Sequence, residues 1–428
     1  MAGNRHVFLI RGEGYIPRPF RAGLLIFLPL VLFSCATRNV VHEPALYRTE
    51  RVPSITGEGS IPFHETETHF RESYLTIVAA GDNLFHDVMI RDGEEGNFEP
   101  IYREIQPLVQ AADIAFINQE TLLAGKDYDF SGYPRFNSPQ KIGRAIAAAG
   151  FNVINHATNH IMDKGEKAIT ATLDFWDTIN RITVLGIHRS EEERSFPVLI
   201  VKNNITIGFL GYTYGTNGIP VPREKPFLVS LINTEIMEKE IDALRPLCDF
   251  LVVSMHWGDE YNHNPVKEQE NFAAFLAEHR VDLVIGHHPH VLQSIEYILR
   301  PDGRFMLCFY SLGNLVSAQT QNPTLLGALA YIRIKKTGPA PGGKEPDGII
   351  FMDAGAIPIV THYEKDFTEF KVYPLYDYSD ELLDKHWKNQ GKKELTMDYL
   401  SNLSAAYLKD KEILFNPFKI LTAILPVP

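Results

Sequence analysis

From about residue 74 onward, short runs rich in Val, Ile and Phe alternate with longer stretches in which apolar positions recur every three or four residues. The first pattern is that of buried strands and the second that of helices with one apolar face. Their alternation predicts a sheet of mostly parallel strands joined by helical crossovers. Core strands are expected at 75–80, 114–118, 152–155, 250–255, 282–286 and 305–310, and helices at 139–149, 165–178, 234–247 and 266–280. The segment PVLIVKNNITIGFLGYT breaks the alternation, because two apolar runs flank Asn203-Asn204. Asn tolerates the positive φ of a tight hairpin turn, so this segment reads as a β-hairpin. Further antiparallel strands are expected in ALAYIRIKK, GIIFMDAGAIPIVTHYE and FKVYPL. The mixture predicts an α/β fold of two packed sheets flanked by helices.

The pattern stops at both ends. Residues 36–73 are polar, carry Pro44, Pro53 and Pro62, and keep no period, so they read as a flexible tether. Beyond 379 the chain turns helical and polar and ends in the apolar ILFNPFKILTAILPVP, which suits docking on the domain or on a partner. The organisation expected is an N-terminal segment 1–35, the tether 36–73, an α/β domain 74–378 and a helical extension 379–428.

Composition narrows the class. With 428 residues, 45% of them hydrophobic, the chain can bury a large core without disulfides or structural metals. The formal charge of −12 repels polyphosphate chains, which argues against nucleic acid as a partner. Of the three cysteines, Cys248 and Cys308 lie in or beside apolar runs and read as small buried hydrophobes. Cys35 has other surroundings. Arg5, Arg11, Arg18 and Arg21 precede the apolar run AGLLIFLPLVLF and then Ser34, the order of a secretory signal peptide. The sequence Leu32-Phe33-Ser34-Cys35 resembles a bacterial lipobox, which implies lipidation of Cys35 and a lipid anchor in the membrane. The alternative, an uncleaved anchor, has an apolar run short of the ~20 residues that span a bilayer. Either reading places the rest of the chain outside the cytoplasm, at the cell envelope.

The chemistry gathers at strand ends. Gly81-Asp82 follows the first strand, Asn118-Gln119-Glu120 the second, and Asn155-His156-Ala157-Thr158-Asn159-His160 the third. His256-Trp257-Gly258-Asp259-Glu260 and Gly286-His287-His288-Pro289-His290 follow the next two, and Asn314 closes Tyr310-Ser311-Leu312-Gly313-Asn314 after another. Each alone is a weak signal. Together they matter, because open α/β sheets bind ligands at the carboxyl ends of their strands. Carboxylates, amides and imidazoles without thiolate suit Mn, Fe or Zn and argue against a cysteine-rich zinc site. Asp and Glu can bridge two ions, and water held at such a site ionises near neutrality. Trp257 and Tyr261 are placed to cover a substrate, or to pack in the core.

The motifs GDNLFHDVMI, NQE, ATNHIMDKG, HWGDEY, DLVIGHHPHVLQSIE and YSLGN occur in the order, and with the residues, of the CapA family of poly-γ-glutamate capsule biosynthesis proteins. The likeness covers roughly residues 75–375. It implies a calcineurin-like metallophosphatase domain, a two-sheet sandwich between helices in four αββα layers. It also implies a divalent metal centre, with two ions, held by Asp82, Glu120, Asn159, His256, His288 and His290. Asn118, Asp163, Trp257, Glu260 and Asn314 would lie beside the metals or the substrate, and His160 or His288 would protonate a leaving group. His156 and His287 depart from the family pattern and read as neighbours of the site or as packing residues. The resemblance implies a metal-dependent hydrolase of phosphoesters or γ-glutamyl amides, or a protein that binds an anionic capsule polymer for synthesis and export machinery.

Overall fold

The computed structural model describes residues 72–95, 97–338 and 348–408. The expected signal peptide, Cys35 and nearly all of the expected tether lie outside the described residues, as do positions 409–428. No described helix is long and apolar enough to cross a membrane.

The strands in chain order are β1 (Ser73–Leu84), β2 (Ile114–Gln119), β3 (Val153–Asn155), β4 (Thr183–Leu185), β5 (Leu199–Lys202), β6 (Ile205–Thr213) and β7 (Phe250–His256). They continue as β8 (Leu283–His287), β9 (Ile295–Leu299), β10 (Phe305–Phe309), β11 (Asn314–Ser317), β12 (Leu326–Thr337), β13 (Gly348–Glu364) and β14 (Thr368–Pro374). The main helices are α1 (Asp87–Glu95), α2 (Gln140–Ala149), α3 (Glu166–Trp176), α4 (Thr234–Leu244), α5 (Lys267–Glu278), α6 (Asp380–Lys385) and α7 (Met397–Leu408).

One sheet runs β14-β13-β12-β1-β2-β3-β4, with β11 also pairing β1, and the other runs β5-β6-β7-β8-β10-β9. The strands β1 to β4 are mutually parallel, as are β6, β7, β8 and β10, while β12 to β14 and the edge strands β5 and β9 pair antiparallel. The two-sheet sandwich flanked by helices is therefore the observed architecture.

Strand periodicity builds the layers. In β7, Phe250 and Val252 enter the core shared with Ile77 and Phe116 of the other sheet. Leu251, Val253 and Met255 point the opposite way, onto Met237 and Ile241 of α4 and Leu276 of α5. Period-two alternation with both faces apolar is what a sheet covered on both sides requires. On the outer face of the first sheet, Ile142, Ala145 and Ile146 of α2 supply the matching stripe.

The expected hairpin forms between β5 and β6, and Asn203 and Asn204 hold φ values of 51° and 60° at its turn. Helix α4 is shorter than expected. It ends at Leu244, and a 3-10 turn takes Arg245–Leu247, because Pro246 has no N–H to continue the ladder. Cys248 and Cys308 are both free thiols, as their surroundings implied. Leu383, Leu395 and Leu400 of the C-terminal extension are buried in the main core, and His386 Nε2 lies 3.3 Å from the Thr361 carbonyl oxygen of β13.

Candidate metal centre

The sheets bring the carboxyl ends of β1, β2, β3, β7 and β8 to one place, and two backbone devices refine it. At Gly81 a Cβ would stand 2.0 Å from the carbonyl oxygen of Gly313, so only glycine lets β1 and the loop before β11 come this close. Gly313 itself has φ 64°, and its carbonyl accepts the Asp82 N–H at 2.9 Å. The register of β1 shifts next to this contact, and Asp82 then lies level with Asn118 of β2 and Asn314 of β11.

Asp82 is fully buried and, unlike Glu120, has hydrogen-bond partners. Its carboxylate accepts from Asn118 Nδ2 at 2.8 Å and the His288 backbone N–H at 3.1 Å, and Oδ2 lies 3.1 Å from His290 Nδ1. Burial disfavours its charge, but the bond to His290 and the histidines beside it hold its pKa below the ordinary value. His290 mirrors this: against burial, Glu120 and Asp82 raise it to about 9. The two form an ion pair. Asn314 Oδ1 stands 3.1 Å from the same Nδ1 and, anchored by Gln319 and the Thr324 carbonyl, sets the ring's orientation.

Glu120 is the opposite case. Both of its carboxylate oxygens are buried without a hydrogen-bond partner. Oε1 stops 3.7 Å from His256 Nε2 and 3.8 Å from His290 Nε2, beyond hydrogen-bond range. Burial pushes its pKa well above the usual carboxylate range, against the pull of His290. His288 Nδ1 is likewise buried and unpartnered. Leaving such groups unsatisfied costs about 1–3 kcal/mol each.

The donor atoms of Glu120, His256 and His288 lie within 4.8 Å of one another, as do those of Asp82, Glu120 and His290 and those of Glu260, His288 and His290. Glu120 belongs to two of these groups, and its unpartnered oxygens lie among imidazoles of both kinds: burial holds His256 well below its ordinary pKa and His288 near 3, while His290 is raised. Oxygen and imidazole donors without thiolate, gathered round orphaned acceptors, fit a divalent cation. Asn159 stands at the same place, with Oδ1 2.9 Å from His256 Nε2. Asn118 links Asp82 to His256 through Nδ2 and is itself held by Asn155 Nδ2 at 2.7 Å.

His160 belongs to none of these groups and stands beside them. Its Nδ1 lies 2.8 Å from Asp163 Oδ2, which also accepts the Phe136 N–H at 2.7 Å. Phe136 meets the imidazole edge to face at 4.6 Å. A carboxylate and an aromatic wall thus fix the ring.

The structure also places four residues whose roles the sequence left open. Trp257, read as covering a substrate or packing in the core, is 1% exposed and donates through Nε1 to the Tyr310 carbonyl, so it is a core residue under β7. Glu260, expected beside the metals, is exposed at the rim with a carboxylate oxygen within 4.8 Å of donor nitrogens of His288 and His290. His156 does not face the site, since its Nε2 accepts the Trp176 indole N–H at 2.8 Å. His287 stacks on Phe116 at 5.6 Å and stays 3.8 Å from Asp82. Two site residues were missed. Tyr214 and Asn217 follow β6, where Asn217 Oδ1 accepts from Asn159 Nδ2 at 3.2 Å and the Tyr214 ring lies 4.7 Å from His288. Reading β6 only as half of a hairpin hid the fact that its carboxyl end meets the same rim.

Fold and site together define a two-sheet α/β protein with a buried carboxylate-imidazole centre for a divalent metal. Residues 76–319 match the family described as the bacterial capsule synthesis protein PGA_cap. The chain belongs to that family. It is 27% identical over 281 residues to the capsule biosynthesis protein CapA of Bacillus anthracis, covering 64% of this chain and 67% of that protein. It is also 27% identical over 273 residues to the PGA biosynthesis protein CapA of Bacillus subtilis strain 168, covering 63% and 70%. Among solved structures it is similar to the NAD nucleotidase of Haemophilus influenzae, at 12% identity and a TM-score of 0.40 over 79% of this chain and 60% of that one. That likeness is too distant to carry an argument about activity.

Proposed function

We propose that this protein is a metal-dependent hydrolase of the cell envelope, acting on a phosphoester or a γ-glutamyl amide in the making of a capsule or related polymer. The observation that carries the reading is Glu120, a buried carboxylate with no partner, shared by two donor groups. A scaffold has no need to bury such a group. Two ions of Mn, Fe or Zn are the cofactor this donor set favours. Bound there, they would polarise the scissile group and supply an ionised water.

The chain's own residues do the rest. Asp82, Glu120, Asn159, His256, His288 and His290 would hold the cations, with Glu260 at the open side. Asn118 and Asn314 orient Asp82 and His290. His160, steered by Asp163, is the group that delivers a proton to the leaving atom. The buried walls around Glu120 exclude bulk water. A lipid at Cys35 would tether the domain outside the cytoplasm, within reach of an anionic envelope polymer and of capsule synthesis or export proteins.

A second reading is supported by the names of the relatives, both of them capsule or PGA biosynthesis proteins. In it the centre binds the anionic polymer and passes it on without turnover. The deciding experiment is elemental mass spectrometry of the chain from Ala36 beside an Asp82→Ala, His256→Ala double variant, followed by an ester and amide screen. Close to two ions per chain, lost in the variant, together with turnover, supports the hydrolase. Metal without turnover supports the polymer-binding reading, and no metal under replete conditions refutes the hydrolase.

A further inference from the structure

His288 and His290 hold φ values of 96° and 58°, a region that residues with a Cβ rarely enter. Such a segment persists only where its surroundings hold it. Two sets of contacts do so from behind, and both lead to the C-terminal extension.

The first runs through Gln319. Its Oε1 accepts from Asn314 Nδ2 at 2.8 Å, and its Nε2 donates to the Tyr261 hydroxyl at 3.2 Å. One amide thus ties the residue that faces His290 to the residue that follows Glu260. Asn314 Nδ2 also donates to the Thr324 carbonyl at 3.0 Å. With its nitrogen so committed, Asn314 presents its oxygen to His290 Nδ1, which then carries the proton and leaves Nε2 on the side of Glu120. Gln319 and Thr324 lie between β11 and β12, and the extension braces this loop from outside. Asn322 Nδ2 donates to the Glu394 carbonyl at 3.0 Å. The Tyr363 hydroxyl donates to the Gln319 carbonyl at 3.2 Å, and its ring packs on His386 at 4.9 Å and Trp387 at 6.2 Å.

The second runs through His263. Its Nδ1 lies 2.8 Å from the carbonyl oxygen of Leu292, just past His290, and its ring stacks on Tyr407 of α7 at 4.5 Å and 12°. On the other side of His290, the Pro289 carbonyl accepts the Tyr261 N–H at 2.8 Å. The strained segment is therefore gripped before and after His290, and α7 backs the second grip.

We infer that the C-terminal extension is a working part of the metal centre: through Gln319 and His263 it holds the His288–His290 segment in its ligating form, so that cation binding and docking of residues 379–408 strengthen each other. The inference rests on the metal-centre reading above. Gln319, His263 and Tyr407 are positioning residues, since none belongs to a donor group of the centre. Linkage makes the effect reciprocal: the factor that docking adds to cation affinity is the factor that the cation adds to docking.

The test uses the full chain in detergent. Isothermal titration reads Mn²⁺ affinity, and hydrogen exchange reads peptides from 379–408 with EDTA and with saturating Mn²⁺. Gln319→Ala should weaken Mn²⁺ binding about 10-fold, the lower end of the loss on removing an outer-shell partner. Tyr407→Ala, remote from every ligand, should weaken it about 3-fold, the worth of one aromatic pair, while Tyr407→Phe keeps the ring and the parent's affinity. In the unaltered chain Mn²⁺ should slow exchange across 379–408, and the slowing should shrink in Gln319→Ala. A purely structural role would lower the urea midpoint of both alanine variants in EDTA and leave Mn²⁺ affinity where it was. Parental affinity in Tyr407→Ala, or exchange in 379–408 indifferent to Mn²⁺, overturns the coupling and leaves the metal centre standing. The exchange measurement decides the matter even if an alanine variant fails to fold. Absence of Mn²⁺ binding by the parent would sink the metal-centre reading and this inference with it.

Discussion

Replacing Glu120 with Gln should change stability and metal affinity in opposite senses. In the metal-free protein both oxygens of Glu120 are buried without partners, and the nearest imidazole nitrogens stop at 3.7 and 3.8 Å. Burial already raises its pKa well above the usual range, so the folded state disfavours the anion. Gln has the same shape without the charge. Its amide still lacks a full set of partners, so the gain is a fraction of the ~1–3 kcal/mol cost of a buried unsatisfied group. The metal-free variant should therefore equal the parent or exceed it by about 1 kcal/mol. Metal binding moves the other way, because Glu120 is common to two donor groups. Loss of outer-shell partners alone costs about 10–100-fold in affinity, so loss of a shared ligand should cost at least ~100-fold. At a Mn²⁺ concentration of about 100 times the parent's Kd, binding stabilises the parent by ~2.7 kcal/mol. A variant bound 100-fold more weakly gains only about 0.4 kcal/mol at that concentration. Urea unfolding with EDTA and with Mn²⁺ reads both quantities. A loss of ~2 kcal/mol or more in EDTA, or stabilisation by Mn²⁺ equal to the parent's, would refute the reasoning.

Asp163→Asn removes the carboxylate that orients His160, and should lower kcat by about 10²-fold with KM and metal content little changed, checked by steady-state kinetics beside elemental analysis. Gly81→Ala drives a Cβ to within 2.0 Å of the Gly313 carbonyl, where the obstacle is backbone and cannot rotate away, and should cost about 1–3 kcal/mol or more in urea unfolding. His156 is held neutral by burial and the Trp176 N–H, with a folded pKa of about 3. Its unfolded value is near ~6.5, so its contribution is complete above that pH and is lost as pH falls from there toward 3. His156→Gln should flatten the acid limb of the stability profile by about 1 kcal/mol per pH unit in that window, as followed by urea midpoints.

Much of this molecule was legible in one dimension. Period-two runs such as Phe250–Met255, bracketed by amphipathic stretches, determine buried strands and covering helices, because each element must bury its own apolar face. Asn203-Asn204 determines a hairpin through local φ alone. The strand-end rule gathered the segments that carry Asp82, Glu120, Asn159, His256, His288 and His290, since parallel strands put all their carboxyl ends on one rim, and the family resemblance picked these six out of them. Local pattern says nothing about which way a side chain at that rim turns. Trp257 and Glu260 are three residues apart in one motif, yet the first goes under β7 into the core and the second toward His288 and His290. His156 and His160 part in the same way, one to Trp176 and the other to Asp163. Glu120 left without a partner, Asp82 bonded on its inner side, and Tyr214 set over His288 follow from contacts across 36 to 206 residues of chain, such as Asn118 to Asp82 and the His288 N–H to Asp82. Whether a buried carboxylate has hydrogen-bond partners or none depends on what faces it in space, and only the packing of the two sheets against each other decides that.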